Sequence, residues 1–136
     1  MKQIILCVAM LCTLGATAQK NAPIPANVKS AFSKAYTHAT KVKWEKEDGN
    51  YEVSFTNGAD QMSVVYNNNA VAEETETAIA IDKLPANARK YAEAKGKIKE
   101  AALILKADGS KVYEAEVNGK DLIFDMSGAF IKEVKD

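Results

Sequence analysis

Cysteine is nearly missing from this chain. Its 136 residues hold two, Cys7 and Cys12, both within the first fourteen positions. Histidine and tryptophan occur once each, and neither sign of charge prevails, with 18 basic against 18 acidic side chains. Each scarcity excludes a class of function. Zinc needs several His or Cys side chains at ligand spacing, and His38 has no such companion after Cys12. A balanced charge gives no basic footprint for nucleic acid or an anionic membrane. An apolar run of about 20 residues, as a membrane-spanning helix needs, is absent, the longest being Ile4 to Leu14.

That run follows Lys2 and precedes Gly15-Ala16-Thr17-Ala18, with Gln19 next. A positive start, a short apolar stretch and a small-x-small site are the three parts of a secretion signal. Residues 1–18 are therefore expected to be a signal peptide cleaved after Ala18. Leu6 and Leu11 precede the two cysteines, where a lipid-anchoring signal would place a small residue. Loss of residues 1–18, and with them Lys2, leaves 118 residues, no cysteine and a net charge of −1. An exported chain without disulfides is held by its core alone, which points to a periplasmic or secreted location. A domain of this length buries roughly two-thirds of its unfolded surface.

An internal repeat organises the rest. Pro25-Ala26-Asn27 returns as Pro85-Ala86-Asn87 and Asp48-Gly49 as Asp108-Gly109, both after 60 residues. Asn57-Gly58 returns as Asn118-Gly119 after 61, and Tyr51-Glu52-Val53 as Tyr113-Glu114-Ala115 after 62. Lys41-Val42-Lys43 has its echo in Lys97-Ile98-Lys99 after 56. Five pairs in one order imply two copies, over residues 19–77 and 78–136.

Each copy opens with a helix. Proline suits a first helical position because its missing N–H would have no partner there. Val28, Ala31, Phe32 and Ala35 recur at helical spacing, as do Leu84, Ala88, Tyr91 and Ala92, with Gly96 placed to stop the second helix. Period-two alternation then marks strands. Val42 and Trp44 alternate with Lys43 and Glu45, and Tyr51, Val53 and Phe55 with Glu52, Ser54 and Thr56. A third strand covers 61–66 and a weaker fourth 70–75. The second copy gives strands over 101–106, 112–117, 121–125 and 129–134, with 76–83 as linker. Asn57-Gly58 has the residues of a tight hairpin, both of which accept positive φ. The fold class is α+β: two tandem α-β-β-β-β repeats, with antiparallel strands and helices on one face.

The face opposite the helices is expected to carry Glu52, Ser54, Thr56, Gln61, Ser63, Glu114, Glu116, Asp121 and Asp125, with Val65, Ile104 and Ile123 among them. Such a mixture suits a solvated sheet first, and a recognition surface second. Candidate binding residues are Glu52, Ser54, Val65, Ile104, Glu114, Glu116 and Ile123. Trp44 is expected in the core. Glu73, Glu74 and Glu76 read as a solvated edge, where charge discourages pairing with another chain.

Chemistry is harder to find. No serine lies in a Gly-x-Ser-x-Gly turn that could recruit His38, and the carboxylates do not follow a calcium-loop pattern. No catalytic residue, metal site or cofactor is expected.

The signal sequence, the Pro-Ala-Asn helix openings, Val42-Lys43-Trp44, the Asp-Gly hairpins and Tyr51-Glu52-Val53 together resemble the PepSY-like, β-lactamase-inhibitor-like proteins of Bacteroidetes. The resemblance covers about 24–134. It implies tandem repeats whose sheets join into one curved surface, an exported location and an inhibitor-like role. No inhibitory residue carries over, and the disulfides of a secreted β-lactamase inhibitor are missing. The expectation is a non-enzymatic exported module that binds an unknown periplasmic protein or peptide. The alternative is a periplasmic carrier or envelope-stress protein, with an apolar ligand held near Trp44, Phe55, Tyr91 and Phe124. Protein recovered from the host envelope should begin at Gln19, which intact-mass measurement checks.

Overall fold

The computed structural model describes residues 23–135. The expected signal peptide, its cleavage point and both cysteines lie outside the described residues. The order of elements is α1 (Ala26–Ala35), β1 (Thr40–Glu47), β2 (Asn50–Asn57), β3 (Asp60–Tyr66), β4 (Ala72–Ile79), a 3-10 turn (Ile81–Lys83), α2 (Ala86–Lys95), β5 (Ile98–Lys106), β6 (Lys111–Val117), β7 (Lys120–Phe124) and β8 (Phe130–Lys135). The fold is α+β. Its strands join in chain order into one eight-stranded antiparallel sheet.

Several boundaries differ from expectation. Strand β4 runs on to Ile79, through half of the segment read as linker. Its run of Glu and Thr has little apolar signal, and pairing along β3 decides the matter instead (Val64 opposite Thr75, Ser63 opposite Glu76). Strand β5 starts at Ile98, three residues before the expected Ala101. Pro25 and Pro85 stand at the helix caps, one residue ahead of the first helical position. Asn118 and Gly119 both take positive φ, as the hairpin dipeptide requires, whereas Asn57 does not. Asn57 instead pairs with Asp60, so Gly58 and Ala59 make that turn.

The described residues divide into two compact units, one of 23–78 with 104–111, the other of 79–103 with 112–135. In the first, α1 buries Val28 and Phe32, four residues apart, against Tyr51, Val53, Phe55, Val64 and Tyr66. Alternation along β2 sends Tyr51, Val53 and Phe55 to this side. The Phe32 ring meets Phe55 edge-on at 4.9 Å and Trp44 at 5.4 Å, contacts worth roughly 0.5–1.5 kcal/mol each beyond their area. Trp44 is half-buried against this core.

In the second unit α2 buries only Ala88 and Ala92, so the bulk comes from Ile98, Leu122 and Phe124 on the sheet and Leu84 ahead of the helix. Tyr91 stacks on Phe130 at 4.7 Å and meets Phe124 edge-on at 5.8 Å. Phe124 itself is fully buried.

A side-chain clamp fixes each helix start. The Asn27 amide donates to the Asn68 carbonyl at 3.1 Å, and the Asn87 amide to the Ser127 carbonyl at 2.9 Å. The clamped loops are built alike. Asn67 Oδ1 accepts from the N–H groups of Asn69 and Val71, and Asp125 Oδ1 from those of Ser127 and Ala129.

Gly128 sits at φ 82° beneath the second clamp, where an added Cβ would overlap Asn87 Oδ1 and lie 2.7 Å from Pro85 Cβ. Gly128→Ala must displace the asparagine and strain the backbone, and should lower stability by about 2 kcal/mol, measured by urea unfolding. The Ser127 hydroxyl, with backbone N–H groups behind it, holds the Asp125 carboxyl below the usual carboxylate range. A depressed carboxylate stabilises the fold above its unfolded pKa, and that contribution disappears as pH falls through the folded value. Asp125→Asn should therefore flatten the acid-side loss of stability, seen by comparing urea midpoints at neutral pH and at about pH 3.

Candidate binding surface

Strand pairing sets the side of the first unit that faces away from its core. Glu45, Glu52, Val65 and Glu74 form one cross-strand row, and Lys43, Ser54, Ser63 and Glu76 the next. Side chains directly opposite stand about 5 Å apart, so Glu45 and Glu52 would repel if left alone. Lys43 answers them. Its ammonium lies 2.7 Å from Glu45 Oε1, and that hydrogen bond, with the charges of Glu45 and Glu52, holds its proton more tightly than usual.

The face is less solvated than alternation suggests. Glu52 is 6% exposed, Glu76 3% and Ser63 1%. A desolvated carboxylate is costly unless it is engaged, and both glutamates have interaction partners. Glu76 therefore corrects the reading of 73–76 as a solvated edge. Strand β4 is an inner strand, and the Glu73 carbonyl accepts from the Ala107 N–H at 2.8 Å. Ile104, in the same unit, is buried yet outside the helix-facing core.

In the second unit Glu114 opposes Ile123, which opposes Lys132, and Glu116 opposes Asp121, which opposes Val134. Lys99 bridges to Glu116 at 2.9 Å. Burial, then the nearby Glu116 charge, pushes the Glu100 carboxyl up, against the pull of Lys99. Ile123 and Asp121 are buried, and Asp121 also has a partner.

The seven candidate residues thus fall into two groups. Glu52, Ser54 and Val65 occupy adjoining positions in the first unit, with Ile104 on β5. Glu114, Glu116 and Ile123 adjoin one another in the second. Alternation assigned their side of the strand, but depth of burial depends on neighbours that periodicity does not encode.

A recess that includes Trp44, one of the residues named for a ligand, lies beside α1. About 410 Å³ in volume, it is lined by Lys29, Phe32, Ser33, Tyr36, Thr37, Ala39, Val42 and Trp44. It lies at the surface, with Val42 exposed. The lone tryptophan on a lysine- and glutamate-rich strand was the available signal. Of the four residues named for an apolar ligand, Trp44 lines this recess and the other three do not. Phe55 and Phe124 are packed in their cores, and Tyr91 is stacked on Phe130.

Among the described residues no group of three or more His, Cys, Asp or Glu side chains could hold a metal. His38 is exposed in the turn after α1. No helix of the described residues is long and apolar enough to cross a membrane.

Known structures share this architecture. A protein of Bacteroides eggerthii, described as a "putative periplasmic" protein, superposes with a TM-score of 0.73 at 18% identity, over 82% of this chain and 88% of that one. A DUF2874 family protein of Bacteroides uniformis gives 0.69 at 17% identity, over 81% and 88%. A BLIP-like protein of Bacteroides fragilis gives 0.63 at 22% identity, over 83% and 86%. No curated protein matches the sequence. The family described as "Putative beta-lactamase-inhibitor-like, PepSY-like" matches over residues 16–70 and 49–132. With most of its length so matched, and with helix and antiparallel strands arranged as in those structures, the chain belongs to this PepSY-like family.

Proposed function

We propose that this protein is an exported, non-enzymatic binding module that engages a protein or peptide through the sheet face turned away from the helices. One observation carries the reading. In the first unit half-buried Val65 is set between Glu52 and Glu74 on that face, and in the second Ile123, which reaches the surface with only 7% of its area, lies between Glu114 and Lys132. An apolar centre with a polar surround is the arrangement of an interface anchor. Glu52, Ser54, Val65 and Ile104 form one patch of the proposed contact, and Glu114, Glu116 and Ile123 the other.

Family membership supports an inhibitor-like role, and the Bacteroides eggerthii protein supports a periplasmic setting. The matching clamps at Asn27 and Asn87 support two tandem repeats in the mature chain.

A second reading, ligand carriage, is favoured only by the recess at Trp44. It requires a small molecule with an apolar body, held by the rings of Phe32, Tyr36 and Trp44. Native mass spectrometry of protein purified from the host should then show a mass above that of the polypeptide, and the bare mass alone would remove this reading.

The binding reading is tested by capture from host periplasmic extract on immobilised 19–136 chain. Ser54→Arg and Glu116→Lys each change the proposed face, while Lys90→Glu changes the exposed side of α2. A partner retained by wild type and Lys90→Glu should be lost at least tenfold in the two face variants. Equal retention by all four proteins would overturn the assignment of the face.

A further inference from the structure

We propose that the outer edge of β1 pairs antiparallel with the same strand of a second copy, with the two-fold axis at Trp44. Among the described residues no strand pairs with that edge, since β1 is the first in the sheet order. An exposed edge is a template for another strand unless its side chains prevent pairing. The side chains of β1 favour one particular arrangement.

The backbone comes first. The β1–β2 hairpin closes on the Glu47–Asn50 pair around Asp48 and Gly49, both at positive φ. A two-residue hairpin of this kind closes on a hydrogen-bonded pair, and such pairs alternate along an antiparallel ladder. Glu47, Glu45 and Lys43 therefore turn their N–H and C=O groups toward β2, and Lys46 and Trp44 turn theirs outward. Trp44 can exchange two hydrogen bonds with Trp44 of a second copy.

Symmetry then limits the register. Opposed residues in a ladder lie on the same face, so two identical strands related by an axis normal to the sheet must cross on a residue. Crossing on Lys43 would set lysine against lysine, and crossing on Glu45 glutamate against glutamate. Crossing on Trp44 opposes each Lys43 to the other copy's Glu45, and the regular ladder ends there, because β1 is bulged between Thr40 and Lys43 with Lys41 at positive φ. Lys43 and Glu45 fall at non-hydrogen-bonded positions, where side chains come closest, and opposite charges there stabilise a pair. Both side chains are accessible for this, at 70% and 57% exposure, and already lie within 2.7 Å of one another on the single strand. On the helix side, half-buried Trp44, which lines the recess, gains apolar cover.

The opposite edge of the sheet behaves differently. Strand β8 exposes Phe130 and Ile131, but crossing on either of its central residues sets Lys132 against Lys132 or Glu133 against Glu133. Like charges directly opposite destabilise a pair. A crossing on Val134 would oppose Glu133 to Lys135, but at the very end of β8, whereas the antisymmetric charges of β1 flank Trp44 in the middle of its strand.

The experiment is sedimentation equilibrium of the 19–136 chain over a range of concentrations. Wild type should self-associate to a dimer. Lys43→Glu and Glu45→Lys each place like charges in both symmetry-related contacts, and each should weaken the dimer by about tenfold or more. Mixing the two variants restores opposite charges at both contacts, so a heterodimer should form although neither variant pairs with itself. The double variant Lys43→Glu/Glu45→Lys, with charges exchanged, should dimerise like wild type. Trp44 is the only tryptophan, so its emission should shift to the red on dilution of wild type and stay constant for either single variant. A monomer at every concentration overturns the proposal, as does a dimer indifferent to the reversals and their mixing. Capture of another protein by the sheet face, as proposed above, is scored separately and depends on neither variant.

Discussion

Each helix here is ten residues long and turns only two buried side chains to its sheet. Much of the rest follows from how little two side chains can cover. In the first unit Phe32 compensates by bulk, meeting Phe55, Tyr36 and Trp44 ring to ring. In the second the helix contributes alanines, and Phe124, Leu122 and Ile98 fill the core from the sheet. Where α1 gives out, at Tyr36, the edge strand is left partly uncovered. The recess beside Val42 and Trp44 marks that shortfall.

Much of this was legible in the sequence, because alternation is enforced wherever one face of a strand is buried. Tyr51, Val53 and Phe55 in β2, and Tyr113, Ala115 and Val117 in β6, announce both the strand and its buried side. Strand β4 was half hidden, since a run such as Glu73-Glu74-Thr75-Glu76 has the composition of a solvated segment. It is a strand because β3 supplies hydrogen-bonding partners, a tertiary cause that local composition does not record. The helix openings were visible as repeated Pro-Ala-Asn, yet the role of the asparagine was not. Its amide reaches a carbonyl some forty residues away, beyond any local pattern.

The candidate surface was legible in part. Periodicity gave the side on which Glu52, Ser54, Glu114 and Glu116 lie, and it gave the aliphatic residues among them. It did not give their depth. Glu52, Glu76 and Asp121 are almost fully buried, and the burial of a carboxylate depends on what lies over it rather than on its place in an alternating pattern. The same limit explains why the family resemblance identifies the architecture without naming a partner. Its shared residues mark turns, caps and core positions, and the side chains that would select a partner are those under the weakest structural constraint.

The hairpin tip Ile104–Lys111 belongs with residues 23–78, although β5 and β6 on either side of it belong largely with the other unit. Neither unit is thus a continuous stretch of chain. A protease cut or an engineered truncation at residue 78 would not release two finished halves, because the first would lack the segment that bonds Glu73 through Ala107. During synthesis the first helix and its four strands emerge well before that segment. The unit that begins with α1 is finished only by residues 104–111, far along the chain.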